Sequence, residues 1–100
     1  MLSDEAIRSA HVDVPEHVAE REFADETVAL NLETGRYHGL NRTASRMLSA
    51  LREGASVEAT ARRLAAELDQ PYERIERDVV GLCRALDERG LIALRGGDES

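Results

Sequence analysis

Between His11 and Leu40 apolar and polar residues alternate with a period of two, the period of side chains along a β-strand. Val12 and Val14 begin the pattern, which continues in residues 18–23 and, most regularly, in residues 27–32. In this last run Val28, Leu30 and Leu32 share one face, and the opposite face carries Thr27, Ala29 and Asn31. The pattern therefore predicts β-strands in the first part of the chain.

A turn connects the run 27–32 to a further strand. Glu33, Thr34 and Gly35 form a short loop, in which Gly35 suits the positive φ that hairpin turns often need. Residues 36–40 then return as the partner strand. We expect a meander of about three strands with the strand 36–40 at its edge.

At Asn41 the period changes to that of an α-helix. Asn41 is a good N-cap, because its side-chain oxygen can accept a hydrogen bond from an otherwise unpaired backbone N–H. Gly54 ends this helix, Ser56 caps a second one, and Pro71 stands at the start of a third, which Gly90 ends. The apolar stripe of the third helix consists of Ile75, Val79, Leu82 and Leu86. An apolar tail with Leu91, Ile92 and Leu94 follows, and we expect it to pack back as a wing.

Each helix has one apolar face, so the three helices must pack together, with the strands covering the rest of their core. The predicted fold is α+β, a small winged-helix-like domain with a three-stranded antiparallel sheet followed by a three-helix bundle. One hundred residues support one domain, which we expect to span residues 10–94. Residues 1–9 and 95–100 are polar and aperiodic, and we expect them to be flexible tails.

The formal charge of −7 is concentrated in the first part of the chain. Residues 1–41 carry nine acidic residues and three arginines, whereas residues 42–100 carry eleven and ten. This charge repels phosphate backbones and acidic membrane surfaces and slightly favours basic partners. No apolar stretch approaches the ~20 residues of a membrane span. We therefore expect a soluble, cytoplasmic protein without a membrane partner.

The sequence lacks the motifs of common catalytic and metal sites. It contains no Gly-rich phosphate loop, no GxSxG and no HExxH. His11, His17 and His38 have no metal-like spacing, and Cys83 is the single cysteine, beside the apolar stripe of the third helix. A small core or groove residue is the expected role of such a cysteine. We expect no enzymatic activity, no metal and no cofactor.

A winged-helix domain can also bind DNA through its third helix. Between Tyr72 and Arg89, however, that helix carries five acidic residues against four arginines. Nucleic-acid affinity depends on a basic surface that releases counterions, and three aromatic residues supply little base stacking. We expect no nucleic-acid partner, and a nucleic-acid-binding regulator is the alternative hypothesis.

A series of motifs runs from the hairpin to the end of the third helix. The segment Val28-Ala-Leu-Asn-Leu-Glu-Thr-Gly-Arg-Tyr-His-Gly-Leu-Asn41 combines an apolar strand, an acidic-x-Gly turn, a tyrosine-bearing strand and Leu-Asn before a helix. Gly54, Ser56 and Val57 follow, and then Glu76-Arg-Asp-Val79. Over roughly residues 12–93 this series resembles the PqqD-like proteins, also called RiPP recognition elements. The turn is more similar to the standalone elements of lasso-peptide pathways than to PqqD of pyrroloquinoline quinone biosynthesis, which is a second alternative.

The resemblance implies a protein that binds the leader segment of a ribosomally synthesised precursor peptide. It would present this precursor to a maturation enzyme, such as a leader peptidase or a radical SAM enzyme. The leader is expected to add as an antiparallel strand beside residues 36–40, in a groove walled by the third helix. On the strand the candidate peptide-binding residues are Arg36, Tyr37, His38, Gly39 and Leu40. On the third helix they are Arg74, Asp78, Gly81, Leu82 and Ala85.

Several of these residues have simpler roles to be weighed. Gly39 either lets a second backbone approach or merely bends the strand, and Tyr37 either lines the groove or belongs to the core. On the third helix we place the groove on the flank of Asp78, because Gly81 and Ala85 make that flank shallow. For the assembly we expect a monomer or a weak homodimer.

Overall fold

The structure of the chain is a computed structural model that describes residues 2–24 and 26–96. In chain order its elements are α1 (Asp4–Ser9), β1 (His11–Asp13), β2 (Val18–Phe23), β3 (Glu26–Asn31), β4 (Tyr37–Leu40), α2 (Arg42–Leu51), α3 (Val57–Leu68), α4 (Tyr72–Glu88) and β5 (Ala93–Arg95). β2, β3 and β4 form an antiparallel meander, and β1 pairs with β5 in a separate ribbon. The expected α+β fold, a three-stranded antiparallel sheet followed by a three-helix bundle, is confirmed.

The turn between β3 and β4 fixes the register of the edge strand. Gly35 has a φ of +79°, the left-handed conformation expected of it. The Asn31 side chain accepts hydrogen bonds from the N–H groups of Glu33 (2.9 Å) and Thr34 (3.2 Å). The Asn31 N–H donates to the Arg36 carbonyl at 2.8 Å. This turn leads β4 back along β3, and β4 lies at an edge of the sheet as expected.

β3 packs on the helices with its smaller and more polar face. Asn31 can be buried there, because its amide donates to the carbonyls of Gly90 (3.1 Å) and Arg89 (3.3 Å) at the end of α4. The buried residues of β3 are Thr27, Ala29 and Asn31. The more apolar face, which carries Val28, Leu30 and Leu32, lies on the outside of the sheet, where Leu32 is 62% exposed.

The predicted helices are α2, α3 and α4. Asn41 and Ser56 cap α2 and α3 as expected, accepting hydrogen bonds from the backbone N–H groups of Ala44 (2.8 Å) and Ala59 (3.1 Å). The three helices share one core, whose fully buried side chains include Leu51, Val57, Leu64, Val79, Cys83 and Leu86. Burial raises the pKa of the Cys83 thiol to about 12. Cys83 is therefore a protonated core residue at neutral pH.

The amino-terminal segment differs from the flexible tail expected for residues 1–9. It contains the short helix α1, in which the Ser3 hydroxyl accepts a hydrogen bond from the Ala6 N–H at 3.1 Å. Ile7 is 1% exposed and packs into the core with α3 and α4. The Arg8 guanidinium lies 2.9 Å from the Glu76 carboxylate on α4. Only two of its six residues, Ala6 and Ile7, are apolar, and they are adjacent, so the sequence shows no helical period here and only the tertiary packing reveals the helix.

The apolar tail after α4 does pack back, and its partner is β1. Val12 lies opposite Leu94 in the ribbon, and Asp13 accepts a hydrogen bond from Arg95 at 3.0 Å. Arg95, expected in a second flexible tail, therefore belongs to β5, while residues 97–100 of that tail lie outside the described residues. Within residues 2–24 and 26–96, no helix has the length and apolarity that a membrane crossing requires.

Candidate functional site

The outer edge of β4 is unpaired in the described part of the chain, because the sheet ends with β4. Hydrogen-bonded and non-hydrogen-bonded pairs alternate along an antiparallel ladder. The bond from the Asn31 N–H to the Arg36 carbonyl makes Asn31–Arg36 a hydrogen-bonded pair. The alternation then makes the pairs of His38 and Leu40 with β3 hydrogen-bonded as well. Tyr37 and Gly39 consequently direct their N–H and C=O groups to the open edge. These four groups form a template for another strand.

The side chains of β4 alternate between two environments. Leu40 is fully buried in the core, and His38 is half-buried on the same face. Tyr37 points to the outer face, where it stands opposite Leu30 and is 65% exposed. Of the two roles that the sequence left open, the core is excluded, and the Tyr37 ring lies on the opposite face of the sheet from the groove walled by α4.

Gly39 lies on the same outer face as Tyr37. A Cβ atom at this position would come within 3.1 Å of the Glu26 carboxylate oxygen. The nearest neighbour is thus the end of a flexible side chain, with no backbone close by. Gly39 itself adds no side chain to the outer side of the open edge, where the Glu26 carboxylate lies close to it.

α4 presents two flanks, and α1 covers one of them. Arg8 of α1 pairs with Glu76, and Arg84 donates to Asp4 and to the Leu2 carbonyl. The opposite flank carries Asp78 and lies towards α2 and β4. The Asp78 flank is the one chosen from the sequence, and its role in peptide binding stays a prediction.

Two adjoining cavities form a groove between the start of α2 and the Asp78 flank of α4, which we name the α2–α4 groove. The first has a volume of about 260 Å³ and is lined by Asn41, Thr43, Ala44, Met47, Asp78 and Leu82. The second, of about 300 Å³, is lined by Thr43, Met47, Leu68, Gln70, Arg74, Ile75 and Asp78. Because Asn41 directly follows Leu40, the groove begins where β4 ends. An extended peptide on the open edge can therefore continue into it.

The structure brings Arg74, Asp78 and Leu82 together in this groove. Gly81 is exposed, and no other side chain or packed element lies within 4 Å of the Cβ position that it lacks, so it belongs to the solvent face of α4. Ala85 is half-buried further along the helix, where its carbonyl accepts a hydrogen bond from Arg89 at 3.3 Å.

The side of the groove formed by α2 was missed in the sequence analysis. Thr43, Ala44 and Met47 supply most of its floor. The spacing of Ala44 and Met47 assigned both to the apolar face of their helix. That spacing could not show which apolar residues would line an open groove, because this depends on how α2 and α4 pack.

Arg36 joins the start of β4 to the end of α4. The Arg36 guanidinium donates to the Glu88 carbonyl at 3.2 Å. Partial burial lowers the pKa of His38, and the nearby positive charge of Arg89 lowers it further. Arg36, His38 and Arg89 therefore lie at one end of the open edge, and the α2–α4 groove lies at the other.

Large apolar side chains are exposed on the outer face of the sheet and at its ends. Phe23, Leu32 and Tyr37 are 59%, 62% and 65% exposed. In contrast, among the described residues no cluster of histidine, cysteine and acidic side chains could hold a metal ion. The features of this surface suit contacts with a polypeptide.

Known proteins share this fold. Residues 26–92 match the family described as coenzyme PQQ synthesis protein D (PqqD). The structure of TbiB1 in complex with the TbiA(beta) leader peptide is 34% identical to this chain, covers 79% of it and 92% of the solved chain, and gives a TM-score of 0.69. Lasso peptide synthetase B1 complexed with the leader peptide is 26% identical, with coverages of 84% and 99% and a TM-score of 0.74. No curated protein sequence matches significantly.

The family match includes β3, β4 and the helices α2, α3 and α4. These elements form the open edge, the α2–α4 groove and the core that supports them. The match spans well over half of the chain, and a relative at 34% identity supports it. This chain belongs to the PqqD family.

Proposed function

We propose that this chain binds the leader segment of a ribosomally synthesised precursor peptide and presents it to a maturation enzyme. The observation that carries the proposal is the open edge of β4, where Tyr37 and Gly39 offer four backbone groups beside the α2–α4 groove. Two structurally similar proteins were solved with a leader peptide bound. The role is that of a binding partner, without catalysis, metal or cofactor.

The leader adds to β4 as an antiparallel strand. Its backbone pairs with Tyr37 and Gly39, and its side chains alternate between the two faces of the sheet. The side chains on the inner face lie beside His38 and Ala85, and those on the outer face lie beside the exposed ring of Tyr37. Since an antiparallel leader runs from Leu40 towards Arg36, its amino-terminal part enters the α2–α4 groove. There Leu82 and Met47 offer apolar contacts, and Asp78 accepts a hydrogen bond.

The partners of this complex are the precursor and an enzyme that acts on it. One of the similar structures is a lasso peptide synthetase component, which favours a lasso-peptide pathway over pyrroloquinoline quinone biosynthesis. The enzyme is then a leader peptidase, with a radical SAM enzyme as the alternative. The encounter takes place in the cytoplasm, where precursors are synthesised. A monomer suits the role best, because a dimer formed through β4 would occupy the open edge.

Titration calorimetry with the leader peptides of the two similar complexes tests this function. We expect saturable binding of at least one peptide with a stoichiometry of one. A peptide of the same composition in shuffled order is the control, because strand addition requires a defined order of side chains. Absence of heat for both leaders, or equal binding of the shuffled peptide, would contradict the proposed function.

A further inference from the structure

Three basic side chains meet where β4 begins and α4 ends. Arg36 and His38 are two residues apart, so both lie on the face of the strand that turns towards α4. The Arg36 guanidinium reaches the Glu88 carbonyl, and Arg89 is close enough to His38 to lower its pKa. We name Arg36, His38 and Arg89 the basic end of the open edge. Such a cluster of basic side chains is an exception in a chain whose formal net charge is −7.

The two arginines of the basic end use main-chain carbonyls as partners. Arg36 donates to Glu88 and Arg89 to Ala85, at 3.2 and 3.3 Å. Among the described residues, seven other arginines form ion pairs with carboxylates, such as Arg46 with Glu67 at 3.0 Å. In the part of the chain that the structure describes, neither Arg36 nor Arg89 lies in such a pair. Their positive charge is therefore not neutralised by a neighbouring acid.

The acidic residues nearest in sequence form no ion pair with Arg36 or Arg89 in the described part of the chain. At about 100° per residue, Glu88 lies about 100° and Asp87 about 160° around α4 from Arg89. Glu33, in the turn before β4, is 71% exposed and lies 3.9 Å from His17. A guanidinium has five N–H donors, and one bond to a carbonyl leaves enough of them for a carboxylate.

We propose that the basic end selects leaders with an aspartate or glutamate in the part that follows the β4-paired segment. This inference rests on the proposed function, because a leader on β4 is what brings a side chain to Arg36, His38 and Arg89. An antiparallel leader passes the α2–α4 groove first and the basic end last. At about 3.3 Å per residue, the acidic residue follows the groove-bound apolar residue by about four to six positions.

Selection from a phage-displayed library of random peptides tests the preference without a known leader. Baits are the native chain, the double variant Arg36→Gln/Arg89→Gln, and the control Arg21→Gln/Arg77→Gln. The control removes the same charge from a strand and from α4, at exposed arginines outside the open edge. Peptides selected by the native chain and by the control should carry an acidic residue downstream of an apolar one. Peptides selected by Arg36→Gln/Arg89→Gln should lack this preference.

A double-mutant cycle on the best peptide measures the coupling. Replacing its acidic residue by glutamine should weaken binding to the native chain about threefold to tenfold, as for a half-exposed charge pair. The same replacement should change binding to Arg36→Gln/Arg89→Gln less than about twofold. Far-ultraviolet circular dichroism checks that every variant is folded.

The outcomes separate this inference from the function on which it rests. The basic-end inference alone would be overturned by either of two results. Selected peptides could compete with a leader yet show no preference for an acidic residue, or Arg36→Gln/Arg89→Gln could select the same preference as the native chain. If no library peptide competes and neither leader of the similar complexes binds, the leader-binding function itself fails, and the inference fails with it.

Discussion

At the scale of single residues, β4 divides into two kinds of position. His38 and Leu40 direct their backbone groups to β3 and their side chains to the helices. Tyr37 and Gly39 direct their backbone groups to the open edge and their side chains outwards. The alternation in the sequence predicts which side chains share a face of the strand. Only the register of the hairpin shows which backbone N–H and C=O groups point to the open edge. Neighbouring residues of one strand should therefore respond differently to the same substitution.

Proline at positions 38 and 39 tests this division. Gly39→Pro removes an N–H at the open edge, so leader affinity should fall at least about tenfold with little change in the free energy of unfolding. His38→Pro removes a bond to β3 and should lower the free energy of unfolding by about 1–3 kcal/mol. Calorimetry and urea denaturation measure the two effects. The matched control is Glu22→Pro on β2, the other edge strand, which should leave leader binding unchanged.

The pKa of His38 predicts a pH dependence of stability. Burial and then the charge of Arg89 lower the pKa of His38 below its ordinary value of 6.5, so the unfolded chain binds the proton more readily than the folded chain. This contribution to stability is present above about pH 6.5 and is lost as the pH falls towards the folded pKa. Between about pH 7 and pH 5 the free energy of unfolding, measured by urea denaturation, should therefore fall less for His38→Gln than for the native chain. An equal loss in both proteins would contradict the assignment.

At the scale of elements, α1 and α2 have opposite relations to the site. α1 covers the Glu76 flank of α4 and completes the core with Ile7. α2 forms the floor of the α2–α4 groove on the other flank. α1 should therefore contribute to stability without contributing to leader affinity.

Ile7→Ala tests the role of α1. The side chain is 1% exposed, and its truncation should lower the free energy of unfolding by about 2–5 kcal/mol. Leader affinity at a temperature where the variant is folded should stay within about twofold of the native value. Glu5→Ala, at an exposed position of the same helix, is the control and should change neither quantity. A large loss of affinity in a folded Ile7→Ala variant would mean that α1 contributes to the peptide site.

Elements with a strong local signal could be predicted from the sequence, and those that depend on packing could not. Asn41, Ser56 and Gly35 predict the starts of α2 and α3 and the hairpin turn, because a cap or a positive φ is a local requirement. α1 carries a single buried apolar residue, so only its tertiary packing identifies it. The sequence predicts a strand at Val12 and an apolar tail that packs back after α4, but β1 and β5 have three residues each, so only their pairing with each other defines their bounds. For the site, the edge position of β4 follows from the sequence pattern, and peptide binding at the Asp78 flank stays a prediction from family resemblance. The part of the groove lined by α2 could not be predicted, because it depends on the packing of α2 and α4.

At the scale of the whole molecule, the open edge can serve only one partner strand at a time. A homodimer formed by pairing two β4 strands would use the same groups of Tyr37 and Gly39 as the leader. α4 carries five acidic residues against three arginines, and this charge disfavours nucleic acid as a competitor for the surface. Peptide binding and self-association should therefore exclude each other.

Sedimentation velocity tests this exclusion. If the chain forms a weak dimer, a saturating leader should convert it to a one-to-one complex of the monomer. The variant Gly39→Pro should reduce dimerisation in the absence of leader, and Glu22→Pro should not. A dimer that persists with bound leader would show that another surface, such as the exposed outer face of the sheet, joins the two copies.

Hydrogen exchange of single amides tests the central claim most directly. In the free chain the N–H groups of Tyr37 and Gly39 are open to solvent, whereas those of His38 and Leu40 are bonded to β3. Exchange followed by NMR with a saturating leader should slow at Tyr37 and Gly39 by at least about tenfold, with His38 and Leu40 slow in both states. Slowing confined to other surfaces, or equal exchange at Tyr37 and Gly39 with and without the leader, would contradict strand addition at β4.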